Sequence, residues 1–91
     1  MPWEVIFAGR VQGVGCRYYC AHVGRRLGIS GAASNCDDGT VQVILDTEEK
    51  DAAYSYAQTA AGNTLNLNFY GRIDSCDVRK TDLPVTGDYS W

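Results

Sequence analysis

Histidine is nearly absent from this chain: His22 is the only one among 91 residues. Its position falls off the apolar stripe of the surrounding segment, which suits a surface side chain better than a catalytic base. The four cysteines, Cys16, Cys20, Cys36 and Cys76, contain no C-x-x-C pair, so their spacing outlines no metal site. Long apolar runs are missing too, and nothing approaches the roughly 20 residues that span a bilayer. The start, Met1-Pro2-Trp3-Glu4, lacks the basic region and apolar stretch of a secretory signal. The cytosol is therefore the expected compartment, and there thiols stay reduced and behave as small hydrophobes. All four cysteines are accordingly expected as structural, mostly buried thiols. Positive charge is in short supply, with 8 Lys and Arg against 11 Asp and Glu, a net charge of -3. This balance argues against a nucleic-acid partner, which a basic face would meet. There is no internal repeat, linker or low-complexity segment.

What the chain does have is a globular composition, 45% hydrophobic, at a length that suits one domain over residues 1–91 with one core. Trp3 to Ala8 is a nearly unbroken apolar run and reads as a buried strand. Cys16, Cys20, Val23, Gly24 and Leu27 then fall on one helical stripe. Arg25 and Arg26 suit the negative end of that helix, and Gly28 its C-cap. Gly31 to Cys36 and Thr40 to Leu45 read as two strands joined at Asp38-Gly39, a strong hairpin signal. A second helix is predicted from about Glu48 to Ala61, with Ala53, Tyr56, Ala57 and Ala60 inward and Gly62 as its stop. Leu65, Leu67 and Phe69 alternate with asparagines and threonine; this segment, 63–70, is either an irregular lead-in or an extra strand. Tyr89 and Trp91, after the Pro84 and Gly87 loop, fit a short final edge strand.

The most informative stretch is Gly9-Arg10-Val11-Gln12-Gly13-Val14-Gly15-Cys16-Arg17, between the first strand and the first helix. Its glycines let the backbone coil and turn several N–H groups toward one point. The helix N-terminus adds more donors, and Arg17 adds a fork suited to an oxyanion. Together these features describe a phosphate cradle. It is not a P-loop, because no Lys-Ser or Lys-Thr pair follows the glycines, and its spacing is not that of a dinucleotide fingerprint. Cys20 and Arg26 satisfy the Cys-x5-Arg spacing of cysteine-dependent phosphatases. The residues between them continue a helical stripe, however, and no histidine precedes the cysteine.

This stretch resembles, nearly residue for residue, the Gly-Arg-Val-Gln-Gly-Val-Gly-Phe-Arg signature of the acylphosphatase family. A second element follows in order. The run from Leu27-Gly28-Ile29 through Asn35-Cys36-Asp37-Asp38-Gly39 to Val41-Gln42-Val43 is similar to the family's Leu-Gly-Leu-x-Gly-x-x-x-Asn-x-x-Asp-Gly-x-Val-x-Val. The close resemblance spans about residues 5–45; beyond it, Ile73, Cys76 and Val78 resemble the apolar positions of the family's fourth strand. The fold implied is α+β, a ferredoxin-like β-α-β-β-α-β sandwich with a short terminal strand and two helices on one face of an antiparallel sheet. The activity implied is hydrolysis of the carboxyl–phosphate bond of a small-molecule acyl phosphate, without metal or organic cofactor; the oligomeric state is left open, with a monomer as the default expectation.

The resemblance assigns phosphate binding to the loop backbone at Gln12, Gly13, Val14, Gly15 and Cys16 and to the Arg17 side chain, and water orientation to Asn35. Each has a plainer rival. Arg17 alone is equally a partner for a surface carboxylate, Asn35 a turn residue beside Asp37-Asp38-Gly39, and the Gln12 side chain a bond-maker within the loop. Asp37 and Asp38 look like an acid pair but suit turn chemistry, and Arg10 suits a solvated loop. Cys16 departs from the family, which has Phe there. The lost volume costs on the order of 2–4 kcal/mol if nothing refills it, and proximity to Arg17 and a helix N-terminus is expected to lower the thiol pKa and expose it to oxidation. Two other functions fit less well: a non-catalytic binding domain with the same fold, and a ferredoxin-like nucleic-acid module. The acyl group is left open among acetyl, carbamoyl and glyceroyl phosphates, since the cradle reads only the phosphate.

Overall fold

The computed structural model describes residues 1–91. In chain order the elements are β1 (Trp3–Arg10), α1 (Cys16–Leu27), β2 (Gly31–Asn35), β3 (Val41–Leu45), α2 (Lys50–Gly62), β4 (Arg72–Lys80) and β5 (Tyr89–Ser90). The strands form one sheet in the order β4-β1-β3-β2-β5, and every neighbouring pair is antiparallel. Both helices pack on one face, as expected.

Strand alternation decides which face that is. Val5, Phe7, Val41, Val43, Leu45 and Ala33 are fully buried and point toward the helices. From α1 come Cys16, Tyr19, Cys20 and Val23; from α2, Ala53, Tyr56, Ala57 and Ala60. The alanines keep α2 close to the sheet, and the tyrosines fill the space between the helices. Each buried tyrosine also meets its polar requirement: Tyr19 donates to the Ala60 carbonyl at 2.6 Å, and Tyr56 to the Cys20 carbonyl at 2.7 Å. These bonds tie each helix to the other.

The opposite face is crossed by the chain itself. β4 and β5 lie at opposite edges of the sheet, so residues 81–88 must traverse it. Gly87 lies against the Ser34 hydroxyl and the Ala32 methyl, on the side away from the helices. Glu4, only 5% exposed, is on that side as well and accepts hydrogen bonds from Arg79 at 2.6 Å and from Gln42. The Glu4 carboxylate holds the Arg79 guanidinium above its ordinary pKa. Trp91 closes the C-terminal end: its indole N–H donates to the Ile29 carbonyl at 2.8 Å, and its backbone exchanges bonds with Gly31.

Some boundaries differ from the sequence expectation. α2 begins at Lys50, and it runs through Gly62 to a cap at Asn63 in the left-handed region. Segment 63–70 is an irregular lead-in rather than a strand, although its apolar residues do alternate inward. The Asn63 carboxamide donates to the Leu67 carbonyl at 2.8 Å and accepts from its N–H at 2.9 Å, meeting needs that a neighbouring strand would otherwise meet. Asn66 also takes a positive φ of 56°, which breaks an extended run. Phe69 turns inward and stacks on Tyr19 with 4.3 Å between ring centres. The cysteines divide: Cys16 and Cys20 are buried, Cys36 is half-buried and Cys76 is exposed, because β4 is an edge strand.

Burial raises the Tyr19 pKa to about 12 and pushes Tyr56 well above the usual tyrosine range. Both groups are neutral when folded, so their contribution to stability is complete below about pH 10 and is lost as pH rises through the folded values. Alkaline unfolding followed by circular dichroism should therefore begin above about pH 10. Tyr56→Phe, which keeps the ring but loses the bond to Cys20, should cost about 0.5–1.5 kcal/mol in urea unfolding.

Candidate active site

The loop between β1 and α1 holds its shape through two left-handed residues, Gly13 at φ 73° and Gly15 at φ 77°. Gly15 is also the N-cap of α1, with no side-chain bond to the helix end and no acidic residue in the first turn. Its carbonyl accepts the first helical bond, from the Tyr19 N–H at 3.0 Å. No backbone N–H from Gln12 to Tyr18 donates to another group of the protein. This run of free donors lies along one loop and the first turn of the helix that follows it. A β-carbon at Gly13 or Gly15 would meet nothing within 4 Å, so the glycines answer to backbone conformation, not to crowding.

Gln12 fixes the loop to the rest of the fold. Its side-chain amide donates to the Cys36 carbonyl at 2.7 Å and to the Thr40 carbonyl at 2.9 Å, both in the β2–β3 hairpin. The side chain is structural, as expected, but it clamps the hairpin and not its own loop. Asp38 closes that hairpin by accepting from the Thr40 hydroxyl at 2.6 Å and the Thr40 N–H at 3.1 Å. The Thr40 hydrogen bonds hold its carboxyl below the ordinary value. Asp38 is thus committed to the turn.

Clamped this way, loop and hairpin border one pocket of about 260 Å³. Gly13, Gly15, Cys16 and Arg17 contribute one wall, and Asn35, at the end of β2, faces them from another. Tyr18 and Tyr89 make an edge-to-face pair at 6.1 Å beside it, with Tyr18 59% exposed. Of the residues expected from sequence, Arg17, Asn35, Gly13, Gly15 and Cys16 line the pocket; Gln12 holds the loop in place, and Val14 packs against the core. His22 is exposed on α1, with its ring 6.0 Å from that of Tyr18. The Cys20 to Arg26 segment is helical throughout, which removes the cysteine-phosphatase geometry. No three His, Cys, Asp or Glu side chains cluster as metal ligands would.

Four pocket residues, Val11, Tyr18, Asp88 and Tyr89, escaped the sequence reading as site residues, and Asp88 is the charged one. Asp88 accepts from the Arg17 guanidinium at 3.3 Å and from the Asn35 backbone N–H at 3.1 Å. Arg17 therefore does pair with a carboxylate, but inside the pocket and not away from it. Asp88 is 71 residues from Arg17, just before a two-residue strand. Only the pairing of β5 with β2, Ala33 opposite Tyr89, brings it to Asn35.

Cys16 departs from expectation in a different way. It is 2% exposed and part of the core, so the volume left by a missing Phe does not open the loop to water. Its thiol sits 3.9 Å from that of Cys20. The contact lowers the Cys16 pKa against the opposing effect of burial and, with burial, raises that of Cys20. The neighbour thiol, not Arg17, is the cause. Iodoacetamide should alkylate Cys76 first in the native protein and reach Cys16 and Cys20 only after denaturation, as read by peptide mass spectrometry. Gln12→Ala should leave the fold intact, lower stability by only about 0.5–1.5 kcal/mol because the Cys36 and Thr40 carbonyls each keep a backbone donor, and weaken phosphate binding in calorimetry by loosening the loop from Asn35.

Comparison with known proteins bears on family and fold. The family model described as Acylphosphatase matches residues 3–89. An acylphosphatase of Lactococcus lactis subsp. lactis is 41% identical over 90 residues, 96% of this chain and 93% of that protein. An acylphosphatase of Clostridium perfringens is 35% identical over 82 residues, covering 90% of this chain and 84% of its own. The crystal structure of acylphosphatase from Bacillus subtilis superposes with a TM-score of 0.71 at 22% identity, over 91% of this chain and 87% of that one, and so shares the fold. With a family match along nearly the whole sequence and relatives above the level at which homology is secure, the chain belongs to the acylphosphatase family.

Proposed function

We propose that this protein hydrolyses acyl phosphates to a carboxylate and inorganic phosphate. The observation that carries the reading is the run of N–H groups from Gln12 to Tyr18 left without a protein acceptor, in a loop and helix start that border, with Arg17, a pocket also lined by Asn35. Such an array is complementary to the three peripheral oxygens of a phosphoryl group.

The reaction asks little else of the protein. A water oxygen forms a bond to phosphorus as the phosphorus–oxygen bond to the acyl group breaks, and the proton of the water passes to phosphate or solvent. The leaving group is a carboxylate whose conjugate acid has a pKa near roughly 4, so no general acid is needed. Phosphoryl transfer runs through a loose transition state in which positioning and charge stabilisation do most of the work. Arg17 and the loop amides at Gln12, Gly13, Val14, Gly15 and Cys16 hold the phosphoryl oxygens. The Asn35 carboxamide, too weak a base to take a proton, orients the water. Chemistry of this kind runs without metal or cofactor. At about 260 Å³ the pocket admits the phosphoryl group and leaves the acyl group toward Tyr18 and Tyr89, whose rings offer an apolar surface to it.

Residues 1–91 act as one domain in this reading, and the protein works as a cytoplasmic monomer. The monomer is supported by a pocket lined entirely by one chain; no helix is long and apolar enough to cross a membrane.

The test is phosphate release from benzoyl phosphate with EDTA present. Wild type should turn over. Arg17→Ala and Asn35→Ala should each lose about 100- to 1,000-fold in kcat while remaining folded by circular dichroism. Arg17→Lys should not restore activity, because a point charge cannot replace the planar fork. Undiminished turnover in either alanine variant would remove that residue from the mechanism, and no turnover in folded wild type would reduce the protein to a binding domain.

A further inference from the structure

Asp88 is unexpected where it stands. A pocket lined with donors for an anion already contains an anionic side chain, and one oxygen, Asp88 Oδ2, accepts from both Arg17 and the Asn35 N–H. The same guanidinium is the only positive side chain lining the pocket. A phosphoryl group entering the cradle must therefore share Arg17 with a carboxylate or displace it.

Displacement is opposed by the way the Asp88 backbone is held. Its N–H donates to the Ser34 hydroxyl at 3.0 Å. The next residue, Tyr89, pairs with Ala33 in the sheet, and Trp91 is fastened to Ile29 and Gly31. On the other side, Gly87 lies so close to Ser34 that an added β-carbon would come within 2.6 Å of its hydroxyl. The strap is fixed on both sides of Asp88, and the carboxylate is presented to the pocket as a built feature of the sheet edge. An ordinary surface ion pair swings free at little cost; this one has a pinned acceptor.

We infer that Asp88 is a resident competitor for the anion seat: it occupies Arg17 when the pocket is empty and weakens the hold on phosphate when it is full. The inference rests on the reading of this pocket as the phosphate site. Asp88 acts on affinity, not on the chemical step. Its negative charge repels substrate and product alike, and the benefit falls on the product, since inorganic phosphate is the species that must leave for turnover to continue. Asp88 thereby sets how strongly the enzyme is inhibited by its own product.

Isothermal calorimetry with inorganic phosphate tests this without relying on turnover. Asp88→Asn keeps the shape and an acceptor for the Asn35 N–H while removing the charge. It should bind phosphate about tenfold more tightly than wild type, the scale of one unit charge at ion-pair range in a half-exposed site. Asp88→Ala should also tighten binding, and Asp88→Glu, which keeps the charge, should stay weak. Thermal melts establish that each variant is folded. In steady-state assays the same Asp88→Asn protein should show product inhibition at about one-tenth the phosphate concentration. Unchanged or weaker phosphate binding in both Asp88→Asn and Asp88→Ala would overturn the inference and leave the phosphate site standing, with Asp88 then serving to position Arg17. No phosphate binding by any folded form, wild type included, would overturn the inference and the phosphate site together.

Discussion

The site depends first on a polar clamp made by Gln12. Gln12 is in the loop after β1, and the carbonyls it bonds, those of Cys36 and Thr40, are in the hairpin after β2. Without that bridge the loop donors and Asn35 would be joined only through Asp88, which accepts from Arg17 and the Asn35 N–H, and through the sheet behind them. With it, a phosphoryl group and an attacking water can be held in one fixed geometry, and the proposed chemistry requires little more than that. The glycines complete the device, because only a backbone free to take positive φ at Gly13 and Gly15 leaves the intervening N–H groups unspent.

The fold serves this arrangement by rigidity on either side. Beneath the loop, Cys16 and Tyr19 anchor the first turn of α1 in the core, and Tyr19 ties it across to α2. Beside it, the final strand brings Asp88 and Tyr89 to the pocket from the far end of the chain. The electrostatics of the site are thus a balance: free amides and one guanidinium against one carboxylate. Strong anion binding alone would favour the product as much as the transition state, and catalysis is served by interactions that matter most while the reaction is under way.

Much of this was legible in the sequence, for physical reasons. The helices and the first three strands announce themselves through periodicity and glycine or Asp-Gly punctuation, and the loop through its density of glycines before a helix. The family resemblance named Arg17 and Asn35, and both border the pocket. The signal failed where side chains substitute for backbone partners or where contacts are distant. Segment 63–70 alternates like a strand but is satisfied by the Asn63 carboxamide, a local bond that no periodicity displays. Cys76 reads as an apolar strand position, yet β4 is an edge and leaves it exposed. Asp88 has no local signal at all: a lone carboxylate before a two-residue strand becomes a site residue only through the register of β5 on β2.

The most direct test of the account is a nitrogen-15 NMR titration of the wild-type protein with inorganic phosphate, following every backbone amide and the Arg17 Nε–H. If the loop is the anion cradle, the largest shifts will map to the amides from Gln12 to Tyr18 and to Arg17, with smaller ones at Asn35 and Asp88. Shifts centred elsewhere, or amides from Gln12 to Tyr18 that do not respond at saturating phosphate, would contradict it.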